Sequence, residues 1–495
     1  MKVLVLNPPS KYSKNVVRDA LWGCWCKGKR IAGTSVPPIN QVLTATLLQK
    51  EGHNAKFLDA LGLQMTIEDV GRDINDYQAV IVQTSTMTFK EDAQVLLDLK
   101  SKNKKLVTII YGSHPTFMPE FSLIDGIDFA VMFEHEYIIR DLLKAIEGKK
   151  NPPPLPVGQA FRPAGNWENI KGIAYKSNGE IIVNPEYPFI ENLDELPFAD
   201  RTLLPTKIEY FNPIVKRLPY TTMFTSRGCP AKCTFCTAPF FMGRKIRFRS
   251  AENVIKELEY VTSLGYKEVF FRDETFTVFK ERNLKICEEI IKRKIDLSWI
   301  CNARIGTIDK ETMITMKKSG CHMIRFGVES GVQEILDNVK KGIDAEKTKE
   351  TFAIAKEVRM DTHAHLMIGL PGDTLDTVNR TIEFVKEIEP TTATFGICTP
   401  YPGTALFDVV KEKFPHIKDG SEADLKKLHT TGFFNQAFTE IDAQKLEKLV
   451  KLAYRKFYFR PKYLINTLKS IKSFDELKRK IIAGTSVLDF AVRGE

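Results

Sequence analysis

Residues 225–237 read TSRGCPAKCTFCT and set Cys229, Cys233 and Cys236 in a C-x3-C-x2-C spacing. Thiolates are the usual ligands of iron–sulfur clusters, and a cubane 4Fe–4S cluster takes four of them. Only three stand here. One iron would then be open to a non-protein ligand, as one position is open in a catalytic metal centre. Gly228 and Pro230 suit a short loop on which three thiolates can converge. A zinc site needs a fourth Cys or His at short spacing, and the next cysteine, Cys287, lies fifty-one residues past Cys236 inside a helical pattern. A sensor or electron carrier is the non-enzymatic alternative, but such proteins usually close all four corners with their own ligands.

The motif resembles the signature of the radical S-adenosylmethionine (SAM) superfamily, in which the residue before the third cysteine is aromatic, here Phe235. The resemblance implies that the methionine part of SAM binds the open iron through its amino and carboxylate groups. An electron from the cluster would then cleave a carbon–sulfur bond and yield a 5′-deoxyadenosyl radical.

The elements around the motif alternate strand and helix. Strand patterns at 221–226, 267–272, 298–302, 323–328, 363–368 and 394–398 are separated by helical patterns such as 251–263 and 280–294, with Ser250 placed to cap the first of these helices. Six such units predict a partial (β/α)6 barrel over 206–410. Polar residues follow each strand, at the face where barrel enzymes carry their sites. SAM brings an ammonium, a carboxylate, ribose hydroxyls and an adenine. Acidic side chains should meet the ammonium or ribose, a cation the carboxylate, and glycines should admit backbone close to the ligand. Glu274 and Glu329 are the acidic choices and Arg304 the cation. Asp273-Glu274-Thr275, Gly327-Val328-Glu329-Ser330-Gly331 and Pro400-Tyr401-Pro402-Gly403-Thr404 are similar to the forms usual in cobalamin-dependent members. His363 and His365 alternate along one strand and face one side, as barrel-lining residues rather than metal ligands.

Residues 1–150 alternate in the same way, with strand patterns at 3–6, 56–58, 79–83, 106–111 and 129–132, and predict a parallel, Rossmann-like α/β sheet. Ligands of such sheets sit at the carboxyl ends of the strands. The loops there contain Asn7 and Pro8, then Thr84, Ser85 and Thr86, then Gly112, Ser113 and His114. A domain of this kind ahead of the cysteines resembles the cobalamin-binding class of radical SAM enzymes, which includes C-methyltransferases and the anaerobic magnesium-protoporphyrin cyclase. YGSHPTFMPE is similar to that class's Gly-Gly-x-His-x-Thr loop. Phe133-Glu134-His135-Glu136 stands where the class often has Gly-Glu-Gly-Glu, and no D-x-H-x-x-G motif is present. The resemblance implies three cofactors, a 4Fe–4S cluster, SAM and cobalamin, with the loop residues named above beside the cobalamin. Trp22 and Trp25, with Cys24 and Cys26 in a C-x-C, are candidates to line a substrate cavity.

Residues 151–205 read as a linker, with five prolines between 151 and 168 and a hairpin at 172–183. Residues 411–495 read as helical, beginning with an amphipathic stretch on Leu446, Leu449, Val450, Ala453 and Phe457. From 445 to 480 there are twelve Lys or Arg against three Asp or Glu, an excess that nearly equals the chain's net +10. This suits a solvated face or peripheral contact with an anionic membrane, and no RNA-binding module accompanies it. Nine cysteines in 495 residues, three of them clustered, suggest a reducing cytosol rather than a disulfide scaffold. The N-terminus lacks signal-peptide anatomy and no apolar run has membrane-spanning length.

The chain therefore reads as a radical SAM enzyme that modifies an unactivated carbon, by methyl transfer from cobalamin or by oxidative cyclisation. The expected substrate is a small molecule, a tetrapyrrole or a lipid, and the electron donor a flavodoxin or ferredoxin. A methylthiotransferase is disfavoured, since that family adds three cysteines in its first domain and an RNA-binding tail.

Overall fold

A computed structural model describes residues 1–12, 14–18, 34–148, 167–421, 434–471 and 474–493. Trp22, Trp25, Cys24 and Cys26 lie outside the described residues.

The first sheet is built on β1 (Lys2–Asn7), β2 (Asn54–Asp59), β3 (Ala79–Thr84), β4 (Val107–Gly112) and β5 (Phe129–Val131), parallel in the order β2-β1-β3-β4-β5. Strands β3 and β4 are buried at every residue, which is why they read as runs of apolar residues without alternation. Val3 and Val5 face one core, shared with the helices Ile39–Lys50 and His135–Glu147. Leu4 and Leu6 face the other, shared with the helix Phe89–Lys102. The hairpin that the sequence places in a linker belongs to this sheet: β6 (Ile173–Ser177) pairs antiparallel with β5, and β7 (Glu180–Val183) with β6. β5 has only three residues and would otherwise expose its outer hydrogen-bonding groups. Tyr175 and Trp167 close over Phe129 beside it.

The second sheet takes β8 (Tyr220–Met223), then, after the two-residue pair β9 (Ser226–Arg227) and β10 (Arg247–Phe248), β11 (Glu268–Phe271), β12 (Ser298–Ala303), β13 (Cys321–Glu329), β14 (Asp361–Ile368) and β15 (Thr392–Ile397). The six long strands run parallel in sequence order, from β8 to β15, and form the expected open (β/α)6 barrel. The helix Ala251–Ser263 begins where expected, with the Ser250 hydroxyl accepting from the Asn253 N–H at 3.1 Å. The open edge at β15 is covered by the helix Ala443–Tyr458, whose apolar stripe is buried. Tyr458 Oη donates to the Ala393 carbonyl and accepts from its N–H at 3.0 Å, while Tyr454 Oη accepts from the Phe395 N–H at 3.4 Å. Two phenols thus satisfy an edge that would otherwise be a template for pairing.

The two sheets are fastened by buried charge. Glu134 and Glu136 follow β5, and Arg227 and Arg247 sit in the β9–β10 pair that brackets the cysteine loop. Arg227 binds both carboxylates, and Arg247 Nη1 lies 2.7 Å from Glu134 Oε2. All four side chains are buried. Burial alone would raise the Glu136 pKa, but the Arg227 charge outweighs it and holds the group at about 2. Removing one partner of such a network leaves an unpaired buried charge at a cost of about 3–5 kcal/mol. Arg227→Met should therefore lower the unfolding free energy of the metal-free chain, extrapolated from urea titration, by about that amount. Because the folded Glu136 pKa is depressed, its contribution is complete above the ordinary carboxylate value and is lost as pH falls toward about 2. Urea midpoints measured down the acid limb should fall more steeply in the parent than in Glu136→Gln, and parallel falls would contradict the assignment.

Candidate active site

The cysteine loop leaves β8 through Thr225 and Ser226, and Asp273 at the end of β11 holds both. Its fully buried carboxylate accepts from the Thr225 N–H at 2.6 Å, from the Thr225 hydroxyl, and from the Ser226 hydroxyl at 2.7 Å. Gly228 follows at φ +102°, and a Cβ there would lie 2.3 Å from the Lys245 carbonyl oxygen, so no other residue fits. Beyond it, the Cys229 N–H donates to the Gly243 carbonyl at 3.0 Å and the Thr234 N–H to the Val339 carbonyl at 3.0 Å. Cys233 is buried, and Cys229 and Cys236 are half-buried. Burial pushes the Cys229 thiol up and the Cys236 thiol up to about 12, and the charge of the Cys233 thiolate pushes both further the same way.

Among the described residues, no three His, Cys, Asp or Glu side chains converge tightly enough to share one metal ion. A cubane asks for something else, with each thiolate on a separate iron corner. Three neighbouring thiols on a rigid loop with cations beside them fit that requirement. When such thiols bind a metal as thiolate ligands, their protons are displaced to solvent.

The side chains expected to meet SAM gather around this loop. Arg304 Nη1 is 3.9 Å from Cys233 Sγ. The Glu274 charge bears on Cys229. Glu329 pairs with Lys341 at 2.6 Å, both buried, and the Lys341 ammonium stands 5.8 Å from the Phe235 ring centroid. Glu329 itself is at φ +63°, a left-handed conformation for a side-chain-bearing residue. The following turns are held from within: the Asp373 carboxylate accepts from the Gly369 and Leu370 N–H groups, each at 2.9 Å.

The loops of the first sheet reach the same region. Phe117, in the short helix after β4, contacts Phe241 just beyond the cysteines at 6.3 Å between centroids, and Gly403 lies so close that a Cβ would meet the Phe117 ring at 2.3 Å. Of the residues expected beside cobalamin, Asn7 and Thr84 are committed internally. Asn7 donates to Asp59 at 2.7 Å and accepts from Arg18 at 3.1 Å; Arg18 pairs with Asp92 at 2.8 Å, and Thr84 donates to Asp92 at 2.7 Å. Pro8 is buried next to them. His114 stacks on Phe89 at 4.1 Å, with Nδ1 3.3 Å from the Thr86 hydroxyl and Nε2 3.2 Å from Asp419. Burial would raise the Asp419 pKa, but His114 holds it well below the carboxylate range. Gly112, at φ +125°, has no room for a Cβ, which would strike the Thr84 carbonyl at 2.1 Å. Ser85 and Ser113 stand beside it on the same strand ends.

A cavity of about 1530 Å³ fills the barrel's inner side, lined among others by Arg272, Arg325, Glu329, His363, His365 and Thr394. His363 is hydrogen-bonded to the Thr392 hydroxyl at 2.7 Å and His365 to the Thr394 hydroxyl at 2.9 Å, with their rings 4.4 Å apart. Burial and the Arg325 charge hold both imidazoles well below their usual pKa, hence neutral at pH 7. They are barrel-lining residues, as their spacing predicts.

Comparison with known proteins agrees with this arrangement. Residues 223–385 match the Radical SAM superfamily and residues 30–143 the B12 binding domain. An uncharacterized methyltransferase of Pyrococcus horikoshii is 30% identical over 474 residues, covering 94% of this chain and 95% of its own. The chain belongs to the B12-binding class of the radical SAM superfamily. The anaerobic magnesium-protoporphyrin IX monomethyl ester cyclase of Rubrivivax gelatinosus is 28% identical over 396 residues, 78% of this chain and 68% of that one. The radical SAM methyltransferase TsrM of Kitasatospora setae, solved with cobalamin and a [4Fe-4S] cluster, shares the fold at TM-score 0.67 and 15% identity, over 98% of this chain and 99% of that one.

Within this radical SAM enzyme, sequence reasoning missed Lys341, Asp273 as a clamp, and the arginines of the β9–β10 pair. Lys341 sits in NVKKG, which looks like a solvated run; only a buried acidic neighbour distinguishes it from Lys340. Two outcomes follow. Gly228→Ala should keep the folded circular dichroism spectrum but lose most iron and sulfide after anaerobic reconstitution. Lys341→Met should leave Glu329 buried without its cation and weaken SAM binding to the cluster-loaded enzyme by about tenfold or more, measured by equilibrium binding.

Proposed function

We propose that this radical SAM enzyme transfers a methyl group to an unactivated carbon of a small apolar or amphipathic molecule held in the barrel cavity. The observation that carries the reading is the meeting of two strand-end faces: the loops after β4 and β5 abut the cysteine loop through Phe117–Phe241 and Glu136–Arg227. When bound, the cluster and SAM supply a 5′-deoxyadenosyl radical and cobalamin supplies the methyl group. The chain's own part is placement and shielding.

Cys229, Cys233 and Cys236 hold the cluster and leave one corner to SAM. Glu274 and Glu329 take the ammonium and ribose of SAM, Arg304 its carboxylate, and Phe235 walls the site beside Lys341. Ser85, Thr86, Gly112 and Ser113 let cobalamin approach the strand ends closely, with Asn7, Pro8, Thr84 and His114 bracing them from below. The cavity volume suits a lipid or a tetrapyrrole, since binding cavities for ordinary small ligands run to roughly 300–1,000 Å³. The electron enters from a flavodoxin or ferredoxin. Residues 1–150, with the β6–β7 hairpin that extends their sheet, carry the cobalamin domain and 206–410 the barrel.

The test is anaerobic turnover with dithionite. The cluster-loaded, cobalamin-loaded protein should convert SAM to both 5′-deoxyadenosine and S-adenosylhomocysteine, and Cys233→Ala should lose 5′-deoxyadenosine formation while retaining cobalt. Formation of 5′-deoxyadenosine without S-adenosylhomocysteine, in the presence of accepted substrate, would replace methyl transfer with cyclisation, the activity for which the Rubrivivax relative is named.

A further inference from the structure

Beyond the barrel, the helices Pro461–Ser470 and Phe474–Arg493 present an unusual surface. The first buries none of its residues. Leu464, Ile465 and Leu468, at i, i+1 and i+4 on one face, are 49%, 51% and 67% exposed. The second packs Val487 and Phe490 inward, the latter on Tyr454, and leaves Ile481 and Leu488, two turns apart, exposed. Exposed Lys462, Lys469 and Lys478 flank these apolar residues. Isolated apolar side chains are common on protein surfaces, but a cluster rimmed by cations marks an interaction site.

The barrel cavity runs out to this same surface. Its outer wall is formed by Leu464, Thr467 and Ser470 of one helix and by Lys480, Ala483 and Gly484 of the other, and Leu464 and Gly484 are exposed. Lys480 Nζ bridges the helices to the Ser470 hydroxyl at 2.6 Å. Ile465, Leu468, Ile481 and Leu488 do not line the cavity; each follows directly in sequence a residue that does, Leu464, Thr467, Lys480 and Val487 respectively.

We infer that these two helices dock on the surface of an anionic lipid bilayer, with the apolar side chains among the acyl chains, the lysines at the headgroups, and the cavity opening toward the lipid. Amphipathic helices with lysine-rich polar faces bind in this way, and the attraction of the cations weakens with salt. No helix among the described residues is long and apolar enough to cross a membrane, so the contact is with one surface. The docking stands on the helices alone; only the delivery of a lipid to the cavity rests on the methyl-transfer reading.

Sedimentation of the full-length, cluster-loaded protein with sucrose-loaded vesicles tests this. Partition should be strong with phosphatidylcholine vesicles containing phosphatidylglycerol, weak with phosphatidylcholine alone, and reduced by raising the salt. Ile465→Ser with Leu468→Ser should weaken partition roughly tenfold, as should Lys469→Glu with Lys478→Glu. Leu375→Ser, at an equally exposed leucine on a different helix, should leave it unchanged. Cleavage of SAM to 5′-deoxyadenosine should be the same in all these variants, so a loss of docking is distinguishable from a loss of the chemistry. Absence of partition into the anionic vesicles at low salt would overturn the inference. So would a dimer, detected by analytical ultracentrifugation, that the Ile465→Ser, Leu468→Ser variant dissolves, because the face would then belong to a second copy of the chain.

Discussion

Two arginines and two glutamates, buried together where the sheets meet, are the constraint on which the site depends. Arg227 is the residue immediately before Gly228 and the cysteines, and its guanidinium reaches Glu134 and Glu136 of the first sheet. The cysteine loop is therefore positioned from outside the barrel. Burying these charges is favourable only because each has its partner and its hydrogen bonds; the Ile190 N–H and the Ile190 and Met242 carbonyls take up remaining capacity of Glu134 and Arg247. A network of this kind specifies one relative placement of two sheets, since a shift of an ångström or two would strand a charge. The chemistry of this radical SAM enzyme needs such a placement, because two large cofactors must present reacting atoms to one substrate carbon.

The same logic recurs on a smaller scale after three strands, β3, β11 and β14. Asp273 uses both carboxylate oxygens to hold Thr225 and Ser226, Asp373 holds the Gly369–Leu370 backbone, and Asp92 holds Arg18 and Thr84. Burial pushes the pKa of Asp92 and Asp373 up, with their hydrogen-bond partners opposing. These are loops at the functional face of parallel sheets, where backbone groups have no ladder partner. A buried carboxylate supplies the missing acceptors and fixes the loop without adding bulk.

What the sequence disclosed and what it hid separate along this line. The strands, the helices and the cysteine loop rest on local spacing and periodicity, and these are written in contiguous residues: the apolar run of β3, the Ser250 cap, the C-x3-C-x2-C motif. The clamps join residues far apart in the chain, such as Arg227 with Glu136 or His114 with Asp419. Neither partner carries a local mark, because a buried lysine or arginine looks like a surface one until its carboxylate is located. The hairpin of β6 and β7 was legible as a hairpin. Its attachment to β5 was not, since pairing follows from the bare edge of a three-residue strand rather than from anything in the hairpin itself. Asn7 and His114 were legible as strand-end polar groups, but the sequence did not show that their side chains are spent on Asp59, Arg18, Thr86 and Asp419.

Glu329 shows how a local irregularity serves the site. The pairing of β13 with β14 slips between Gly327 and Glu329, so the strand bends where it delivers that carboxylate. A bulge re-aims a side chain at the end of a strand, and here it accompanies the left-handed backbone of Glu329. Gly327 is the condition for the arrangement, since a Cβ there would lie 2.5 Å from Glu329 Oε1 and 2.8 Å from Lys341 Nζ. A left-handed, non-glycine residue costs of order 1–3 kcal/mol and persists only where its surroundings over-determine it. The Lys341 pair provides that determination. The carboxylate thereby lines the barrel cavity and holds the lysine that stands over Phe235, the residue before Cys236, instead of packing into the core as an ordinary strand residue at that register would.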